Sequence, residues 1–422
     1  MPFSHYKAWA TAFKFGLDKI GGTTFFSATY LSSPFNLPRP MTRVRDPIHD
    51  YIDLTPLETK LVDTPAYQRL RWIRQLGPAN LVYPGANHTR HEHCMGTCHV
   101  VGRMADSAGL ASEERQLASA AGLLHDLGHS PFSHLGDEID GLEDHVDRTI
   151  SLVSKTEISD VLSQEGIDPK EINKIITGQH NLGTLVSGDL DGDRLDYLVR
   201  DAHYTGVSTG VDMGRLITTM SMSDGHIVVR QGGLPAVEAL LTARSTMYPT
   251  VYFHPFARGA ELMLVRATNT AIETNAFTRD DFANFTDHTF LSELNKAKGL
   301  PKRIVNDFEN RRIVKRGVSI TKDQAESSGL NKAERSGYEE RIASELGLDS
   351  ADIYVDIPPL TVVPGLKAKI MKENGDVVLA RDMSKLVSGL YEAQFDHWRG
   401  SVYGPAENRD VLSEASNKVL GL

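Results

Sequence analysis

A histidine and an aspartate stand side by side at positions 125 and 126, directly after an apolar run. Imidazole and carboxylate are ligands that suit Mn, Fe, Zn or Mg, rather than a metal held by thiolates. His93 upstream and Asp193 downstream complete a candidate set with His125 and Asp126. Two imidazoles and two carboxylates leave coordination positions for water and for a phosphate oxygen. The sequence therefore predicts a divalent metal centre that hydrolyses phosphoesters.

Two of these four ligands have competitors nearby. Spacing alone cannot choose among the acids of one short stretch, so Asp193 competes with Asp189, Asp191 and Asp196. His91 is the competing imidazole beside His93. Both alternatives stay open at this point.

Two histidines after the His-Asp pair are candidates for proton transfer. His129 lies four residues after His125, and His134 follows a proline turn with Asp137 three residues further on. A carboxylate beside an imidazole orients the ring and tunes its pKa, so that the ring can protonate a leaving oxygen. The alternative for His134 is a loop cap. Four basic side chains could bind phosphate groups, although each alone is a surface charge by default: Arg90, Arg194, Arg244 and His254.

Helices are expected to position these side chains, because apolar residues recur every three or four positions from 42 to about 298. One such stripe, with Ser112 as its predicted N-cap, comprises Leu117, Ala120, Ala121 and Leu124. Gly128 is predicted to end this helix, which places the His-Asp pair in its last turn. Further helical runs open at His93 and continue from Arg194, so we predict a metal held by a helical bundle.

The composition changes beyond about residue 301. Residues 315–350 are charged and helix-prone, 353–359 and 366–371 are rich in strand-forming residues, and Asn374-Gly375 predicts a hairpin turn. Residues 382–399 are expected to be helical again. The fold class predicted is mainly α, a helical bundle around a metal site with a smaller C-terminal α+β lobe. Its predicted parts are an N-terminal extension at 1–40, a catalytic domain at 41–300 and the lobe at 301–422.

Charge and cysteine content narrow the class of protein. The net charge of −10 argues against general coating of nucleic acid, because a phosphate-binding surface normally has a basic excess. Cys94 and Cys98 give no disulfide framework and favour a reducing, cytoplasmic location. Their spacing predicts small buried hydrophobes on one helical face. No apolar run reaches the roughly 18 residues of a membrane span. Residues 1–40 are interpreted as an upstream extension ahead of a start at Met41, with a partner-binding arm as the alternative.

Several stretches of the sequence resemble the HD-domain deoxynucleoside triphosphate triphosphohydrolases. The resemblance rests on Arg90-His-Glu-His93, His125-Asp126, Gly128-His-Ser-Pro-Phe-Ser-His134 and Asp191-Gly-Asp193-Arg-Leu-Asp-Tyr197. It extends to residues 46–49, 63–71, 75–77 and 244–254 and covers the chain from about Met41 into the C-terminal lobe. These ordered motifs are specific for the family and less specific for the substrate.

The resemblance implies roles for matching residues. The metal ligands correspond to His93, His125, Asp126 and Asp193, and the catalytic group beside the phosphate corresponds to His129, His134 and Asp137. The triphosphate would be held by Arg90 and Arg194. Arg244 and His254 complete the predicted substrate site. The implied reaction is attack of water at the α-phosphorus, which releases deoxynucleoside and intact triphosphate.

The same resemblance implies how the sugar is recognised. The 3′-hydroxyl would be bound by Gln75, Tyr197 and Asp201. Leu76 and Tyr252 would crowd the 2′ position and so reject ribose, because a buried wall there penalises an extra hydroxyl that finds no partner.

Two features bear on regulation and rate. Many family members are activated by guanine nucleotides bound between subunits, and Asp63, Gln68 and Arg71 match such a site, although Asp63 suits a helix-capping turn equally well. We therefore expect a homo-oligomer with GTP or dGTP as a candidate activator. Val146 stands where the family pattern leads us to expect a glutamate, and Glu143 or Asp147 would have to substitute for it.

The function predicted is metal-dependent hydrolysis of deoxynucleoside triphosphates. One alternative is an HD phosphohydrolase that acts on another nucleotide or phosphoester and releases phosphate. A second alternative, motivated by Val146, is a nucleotide sensor or nucleic-acid-binding scaffold with little turnover.

Overall fold

Helices dominate the computed structural model, which describes residues 42–359, 367–393 and 396–422. The predicted extension at 1–40 lies outside the described residues. Within these described ranges, nineteen α-helices follow one another in chain order: α1 Pro56–Val62, α2 Pro65–Gln68, α3 Arg90–Ser107, α4 Ser112–Leu124, α5 His145–Lys155, α6 Glu157–Gln164, α7 Pro169–Ile176, α8 Gly192–Thr205, α9 Met213–Thr218, α10 Leu234–Met247, α11 Pro255–Glu273, α12 Arg279–Asn284, α13 Asp287–Lys296, α14 Leu300–Glu309, α15 Lys322–Ser327, α16 Arg335–Leu346, α17 Ala380–Met383, α18 Lys385–Glu392 and α19 Arg409–Leu420.

Three small sheets accompany the helices in the part of the chain that the structure describes. Their strands are β1 Thr42–Asp46, β2 Asp50–Leu54, β3 Met220–Ser223, β4 His226–Arg230, β5 Lys315–Ile320, β6 Tyr354–Asp356, β7 Lys369–Met371, β8 Val377–Leu379 and β9 Gly400–Gly404. The orders are β1-β2, β3-β4-β7-β8 and β5-β9-β6. All neighbours pair antiparallel except β4 and β7, which run parallel. The mainly α fold class is confirmed.

The main core is built around α3, which packs against α4 and α8. Val101 on α3, Leu124 on α4 and Leu198 on α8 are buried. Each such side chain stabilises the fold by about 1.5–3 kcal/mol relative to an exposed position. The predicted stripe is part of this core, because Ala120, Ala121 and Leu124 are all inaccessible. The packing of three helices is what brings distant parts of the sequence to one site.

The sheet of β3, β4, β7 and β8 joins residues on both sides of the predicted domain boundary at 300. Val229 of β4 pairs with Ile370 of β7, and Ile370 is buried in the main core. Helix α14 begins at Leu300 and packs against α11 and α13. The division into 41–300 and 301–422 stays a prediction.

Some local predictions were wrong. Ser112 is the first residue of α4 rather than its cap, because Ala111 has the extended conformation of an N-cap and Glu114 accepts its N–H. The helix ends at Leu124, four residues before Gly128.

Further errors fall in the C-terminal lobe. Residues 315–320 form strand β5 rather than helix. Val318 and Ile320, at alternate positions of the strand, point into a separate hydrophobic core formed by residues of the C-terminal lobe. Residues 382–399 contain the end of α17, a break at Ser384 and then α18. The hairpin turn at Asn374-Gly375 is confirmed between β7 and β8.

Candidate metal centre

Three helices deliver the four predicted ligands. His93 lies in the first turn of α3, and Asp193 lies in the first turn of α8, which Asp191 caps by accepting the N–H of Arg194 at 2.8 Å. His125 is the C-terminal cap of α4, and Asp126 follows it. The pair thus stands just beyond the helix rather than in its last turn, which leaves both side chains free to face the other two helices.

The ligand atoms converge. Nε2 of His93 lies 3.0 Å from Oδ1 of Asp193, and Nε2 of His125 lies 3.5 Å from the same oxygen. Asp126 joins them, with its Oδ2 3.6 Å from His93 Nε2 and its Oδ1 3.4 Å from His125 Nε2. The ligand atoms of His93, His125 and Asp193 all lie within 4.8 Å of one another. One cation could therefore contact all of these side chains.

The hydrogen bonds of the two imidazoles fit a metal. His93 Nδ1 donates to Asp196 at 2.9 Å, and His125 Nδ1 donates to the carbonyl of Gly122 at 2.8 Å. The buried Nε2 atom of each ring has no hydrogen-bond partner among the described residues. With the proton on Nδ1, each Nε2 presents its lone pair to the same space, as a metal-ligating histidine does.

The electrostatics of the centre also favour a cation. Burial acts to lower the pKa of His93, but its interactions with the carboxylates of Asp193 and Asp196 raise it to about 10. Burial likewise opposes the charged form of His125, and the nearby carboxylates of Asp126 and Asp193 raise its pKa nevertheless. The carboxylates thus stabilise positive charge between the rings, and the residues present fit a divalent cation.

The geometry favours Asp193 over its competitors. Asp196 lies on the Nδ1 side of His93, away from the centre, and accepts hydrogen bonds from His49 at 2.6 Å and from Arg200 at 2.8 Å. Asp191 is occupied as the cap of α8. Asp189 is not among the described groups that converge on a possible cation.

The competing imidazole also lies away from the ligand cluster. His91 is buried with its ring against that of Tyr67, at a centroid distance of 5.1 Å. Burial lowers the pKa of His91 to about 4.

A second group of histidines stands beside the metal centre. The Asp137 carboxylate accepts hydrogen bonds from Nδ1 of His134 at 3.0 Å and from Nδ1 of His145 at 3.3 Å. His129 stacks on His145 with centroids 4.2 Å apart and contacts Asp126 through Nε2 at 3.3 Å. The structure therefore brings the predicted catalytic residues together and adds His145, which the sequence reasoning did not select.

The pKa values in this group follow from the shared carboxylate. Burial acts to raise the pKa of Asp137, but hydrogen bonds from His134 and His145 lower it well below its usual value. Burial acts to lower the pKa of His145, and its hydrogen bond to Asp137 and the charge of Asp126 raise it. Asp137 thus stays ionised and favours the protonated form of His145.

The loop that carries His134 has strained backbone. Phe132 and Ser133 adopt φ values of 55° and 61°, in the left-handed region that non-glycine residues seldom occupy. Buried Asp287 accepts the N–H of Phe132 at 2.7 Å, and the Ser133 hydroxyl accepts from Arg90 Nε at 2.9 Å. Surrounding contacts therefore fix the conformation that directs His134 toward the centre.

The two acids expected to stand in for a glutamate at position 146 do not reach the cavity. Val146 packs against the main core, one residue after His145 on α5. Among the described residues, Glu143 and Asp147 are exposed and do not line the adjoining cavity. His145 is thus the side chain that this stretch contributes. The signal in the sequence was a histidine eight residues after Asp137, directly after the capping Asp144 and at the start of a helix.

A cavity of about 1070 Å³ opens from the metal centre. Twelve of the residues predicted for metal, catalysis or substrate line it: Gln75, Leu76, Arg90, Asp126, His129, His134, Asp193, Arg194, Tyr197, Asp201, Arg244 and Tyr252. Tyr252 donates to Asp201 at 2.9 Å, and Arg244 donates to the hydroxyl of Tyr197 at 3.3 Å. Four predicted residues are not among the lining side chains: His93, His125, Asp137 and His254. His254 instead caps α11 by accepting the N–H of Phe256 at 3.3 Å.

The predicted activator residues lie apart from this cavity. Asp63 is the C-terminal cap of α1 through its backbone, and Thr64 rather than Asp63 caps the N-terminus of α2. Gln68 donates to the carbonyl of Val62 at 2.7 Å and accepts from Arg71 at 2.6 Å. Asp63 and Arg71 are exposed.

The chain is similar to known protein families and to several individual proteins. The HD domain model matches residues 90–199, and the HD associated region model matches residues 211–422. An uncharacterized protein of Methanocaldococcus jannaschii is 30% identical over 407 residues, which cover 90% of this chain and 84% of that protein. Uncharacterized protein YwfO of Bacillus subtilis is 39% identical over 239 residues, covering 54% of this chain and 55% of YwfO.

Relatives with a named activity are more distant. Deoxynucleoside triphosphate triphosphohydrolase SAMHD1 of Bos taurus is 27% identical over 335 residues, covering 63% of this chain and 57% of SAMHD1. The chain therefore spans little more than half the length of YwfO and of SAMHD1. A hypothetical protein from Aquifex aeolicus superposes with a TM-score of 0.72 at 28% identity, covering 89% of this chain and 99% of that one. No helix in the described residues is long and apolar enough to cross a membrane.

Proposed function

The chain belongs to the HD domain proteins with an HD associated region, a family of phosphohydrolases, and from that premise we propose that it hydrolyses deoxynucleoside triphosphates to deoxynucleoside and triphosphate. One observation carries the proposal. The cavity beside the ligand cluster is lined both by the histidine group around Asp137 and by Leu76 and the bonded pair Tyr252–Asp201. A phosphate-cleaving centre and a wall suited to a deoxyribose thus share one space.

The chain's own residues can place the phosphates. Arg90 is buried, and its guanidinium contacts Asp126 and Ser133 and lies 3.3 Å from Nε2 of His134. Arg194 lines the same cavity from the first turn of α8. We propose that these two arginines neutralise the triphosphate and direct its α-phosphorus to the centre. When bound, a divalent cation supplies Lewis-acid polarisation of a phosphoryl group there.

Proton transfer is assigned to the histidines bound to Asp137. Because both His134 and His145 donate Nδ1–H to this carboxylate, Nε2 of either ring is the atom that can hold a proton for the leaving 5′-oxygen. His134 is the more exposed, with 62% of its side chain accessible against 27% for His145. We therefore assign the general acid to His134 and support of Asp137 to His145.

Discrimination against ribose is assigned to the sugar wall, which is the part of the cavity lining formed by Gln75, Leu76, Asp201 and Tyr252. Tyr252 is anchored by its hydrogen bond to Asp201, and Leu76 lines the cavity beside Gln75. A 2′-hydroxyl against these side chains would lose its water without gaining a partner. This supports deoxynucleotides as the substrate class, as the named activity of SAMHD1 also does.

The proposal includes a homo-oligomer that guanine nucleotides activate. The exposed Asp63 and Arg71, with Gln68 between them, lie outside the cavity and are accessible to a second ligand. An activator there would leave the substrate site open.

Product analysis tests the proposal. Purified protein with Mn²⁺ or Mg²⁺ would receive each deoxynucleoside triphosphate in turn, with and without GTP, and the products would be separated by anion exchange. We expect deoxynucleoside and intact triphosphate, at a rate that GTP increases. Inorganic phosphate as the product would instead indicate a phosphohydrolase of another nucleotide. Tight nucleotide binding without any product would support a sensor.

A further inference from the structure

His88 lies behind the sugar wall of the cavity and contacts two of its residues. Its Nε2 lies 2.8 Å from Oδ1 of Asp201, and its backbone carbonyl accepts the N–H of Gln75 at 3.0 Å. Both Gln75 and Asp201 line the cavity, whereas His88 does not. We propose that His88 is a positioning residue that sets recognition of the substrate's 3′-hydroxyl. This inference rests on the proposed function.

The two residues that His88 contacts are both suited to receive a hydroxyl hydrogen. Only 7% of Gln75 is accessible, and its buried Oε1 has no hydrogen-bond partner among the described residues. The Asp201 carboxylate accepts one hydrogen bond on each oxygen, from His88 and from Tyr252, and a carboxylate has about four acceptor sites. Two acceptors with capacity to spare on one wall predict a ligand group that donates, and the 3′-hydroxyl is such a group.

The ring of His88 has one protonation state that fits its surroundings. It stacks on Tyr204, with centroids 4.5 Å apart and an interplanar angle of 11°. Its buried Nδ1 has no partner among the described residues, so a proton there would be an unsatisfied donor. The neutral ring with its proton on Nε2 satisfies the geometry, because that proton points at Asp201. His88 thereby fixes the carboxylate without neutralising its charge.

The backbone around His88 fixes the second acceptor. Residues 73–75 and 88–90 pair like short strands, since Arg90 N donates to the Ile73 carbonyl at 2.9 Å and Gln75 N donates to His88. Arg74 and Thr89 form the bridge between these bonds. His88 therefore holds Asp201 through its ring and Gln75 through its main chain. It thereby fixes the positions of the two acceptors relative to each other.

The test compares substrates that differ only in the 3′-hydroxyl. For wild type and each variant, kcat and KM would be measured with the four deoxynucleoside triphosphates and the four 2′,3′-dideoxynucleoside triphosphates in Mn²⁺. His88→Phe keeps a ring to stack on Tyr204 and removes the donor, and we expect it to lower kcat/KM for deoxynucleotides about 10- to 100-fold. Dideoxynucleotide rates should change by no more than about twofold, because their sugar offers no hydroxyl to position.

Two further variants separate positioning from folding. His88→Gln retains an N–H donor and should restore part of the preference for the 3′-hydroxyl. His203→Phe makes the same replacement at an exposed position of α8, the helix that carries Asp201, and should match wild type. Mn²⁺ affinity by calorimetry should be equal in all four proteins, because His88 does not contact the ligand cluster.

The outcomes are distinguishable. An equal loss on both substrate series in His88→Phe and His88→Gln, or an unchanged ratio in both, would overturn the role of His88. A wild-type protein that releases no triphosphate from any deoxynucleotide would overturn the proposed function itself.

Discussion

Asp196 offers a sharp test of how the metal centre is held. Its buried carboxylate accepts hydrogen bonds from His49 Nε2 at 2.6 Å, from His93 Nδ1 at 2.9 Å and from Arg200 Nε and Nη2 at 2.8 and 2.9 Å. Asp196→Asn keeps the shape but replaces one acceptor oxygen by an NH₂ group, which would face donors. Because each oxygen accepts two of the four bonds, two of them are lost, and the remaining carboxylate of Asp46 must balance Arg200 alone.

Two effects follow from this geometry. Loss of the bond that fixes the proton of His93 on Nδ1 should weaken Mn²⁺ binding about 10- to 100-fold. An uncompensated charge in a buried ion pair should lower the free energy of unfolding by about 3–5 kcal/mol. Mn²⁺ affinity would be measured by isothermal titration calorimetry after removal of metal by chelation, and stability by urea unfolding of the metal-free protein.

A matched control separates the two effects. Asp356 is also a buried carboxylate, and it binds Arg258 at 2.9 Å. Asp356→Asn should destabilise the protein and leave Mn²⁺ affinity as in wild type. If Asp196→Asn bound Mn²⁺ as tightly as this control, the reasoning that His93 owes its ligand form to Asp196 would be refuted.

Other perturbations address proton transfer and the sugar wall. His134→Ala should preserve Mn²⁺ affinity and lower turnover about 10²- to 10⁴-fold, measured as triphosphate release, and an unchanged rate would make His134 a loop cap. Leu76→Ala or Tyr252→Ala should let ribonucleotides compete better for the site, and unaltered inhibition constants would sink the account of 2′ exclusion. The pKa of His145 is raised in the folded protein, so its ion pair with Asp137 stabilises the fold below the ordinary histidine pKa and is lost as pH rises through the raised value. Asp137→Asn should remove that pH dependence from thermal unfolding curves, and its persistence would point to a different group.

The candidate ligands could be named from the sequence because their selection depends on side-chain chemistry, whereas the choice among neighbouring candidates depends on packing. Two histidines and two aspartates indicate a divalent cation from their types alone. Only the three-dimensional structure favours Asp193 over Asp196 as a ligand. Both residues lie on α8, and a different rotation of this helix about its axis would place Asp196 rather than Asp193 at the centre. His145 was missed because the family pattern pointed to the neighbouring position 146. Only the structure shows that the side chain of His145 reaches Asp137.

The errors in the fold have local causes. The charged residues of 315–350 predicted helix for 315–320 as well. Pairing with β9 instead places Val318 and Ile320 in the hydrophobic core of the C-terminal lobe, so tertiary packing overrides the local propensity. His254 follows the cavity residues in sequence, yet the turn into α11 directs its ring to the helix N-terminus. Charge and order along the chain cannot reveal such a change of direction.

The parallel pairing of β4 with β7 has a consequence for how the chain can be divided. A fragment that ended near residue 300 would lose Ile370, Ala380 and Val387 from the main core and would expose one edge of β4. Unpaired strand edges beside uncovered apolar surface promote association between chains. Proteolytic or cloned fragments that contain only the HD domain should therefore aggregate, and the metal centre should be recovered only from chains that continue through β8.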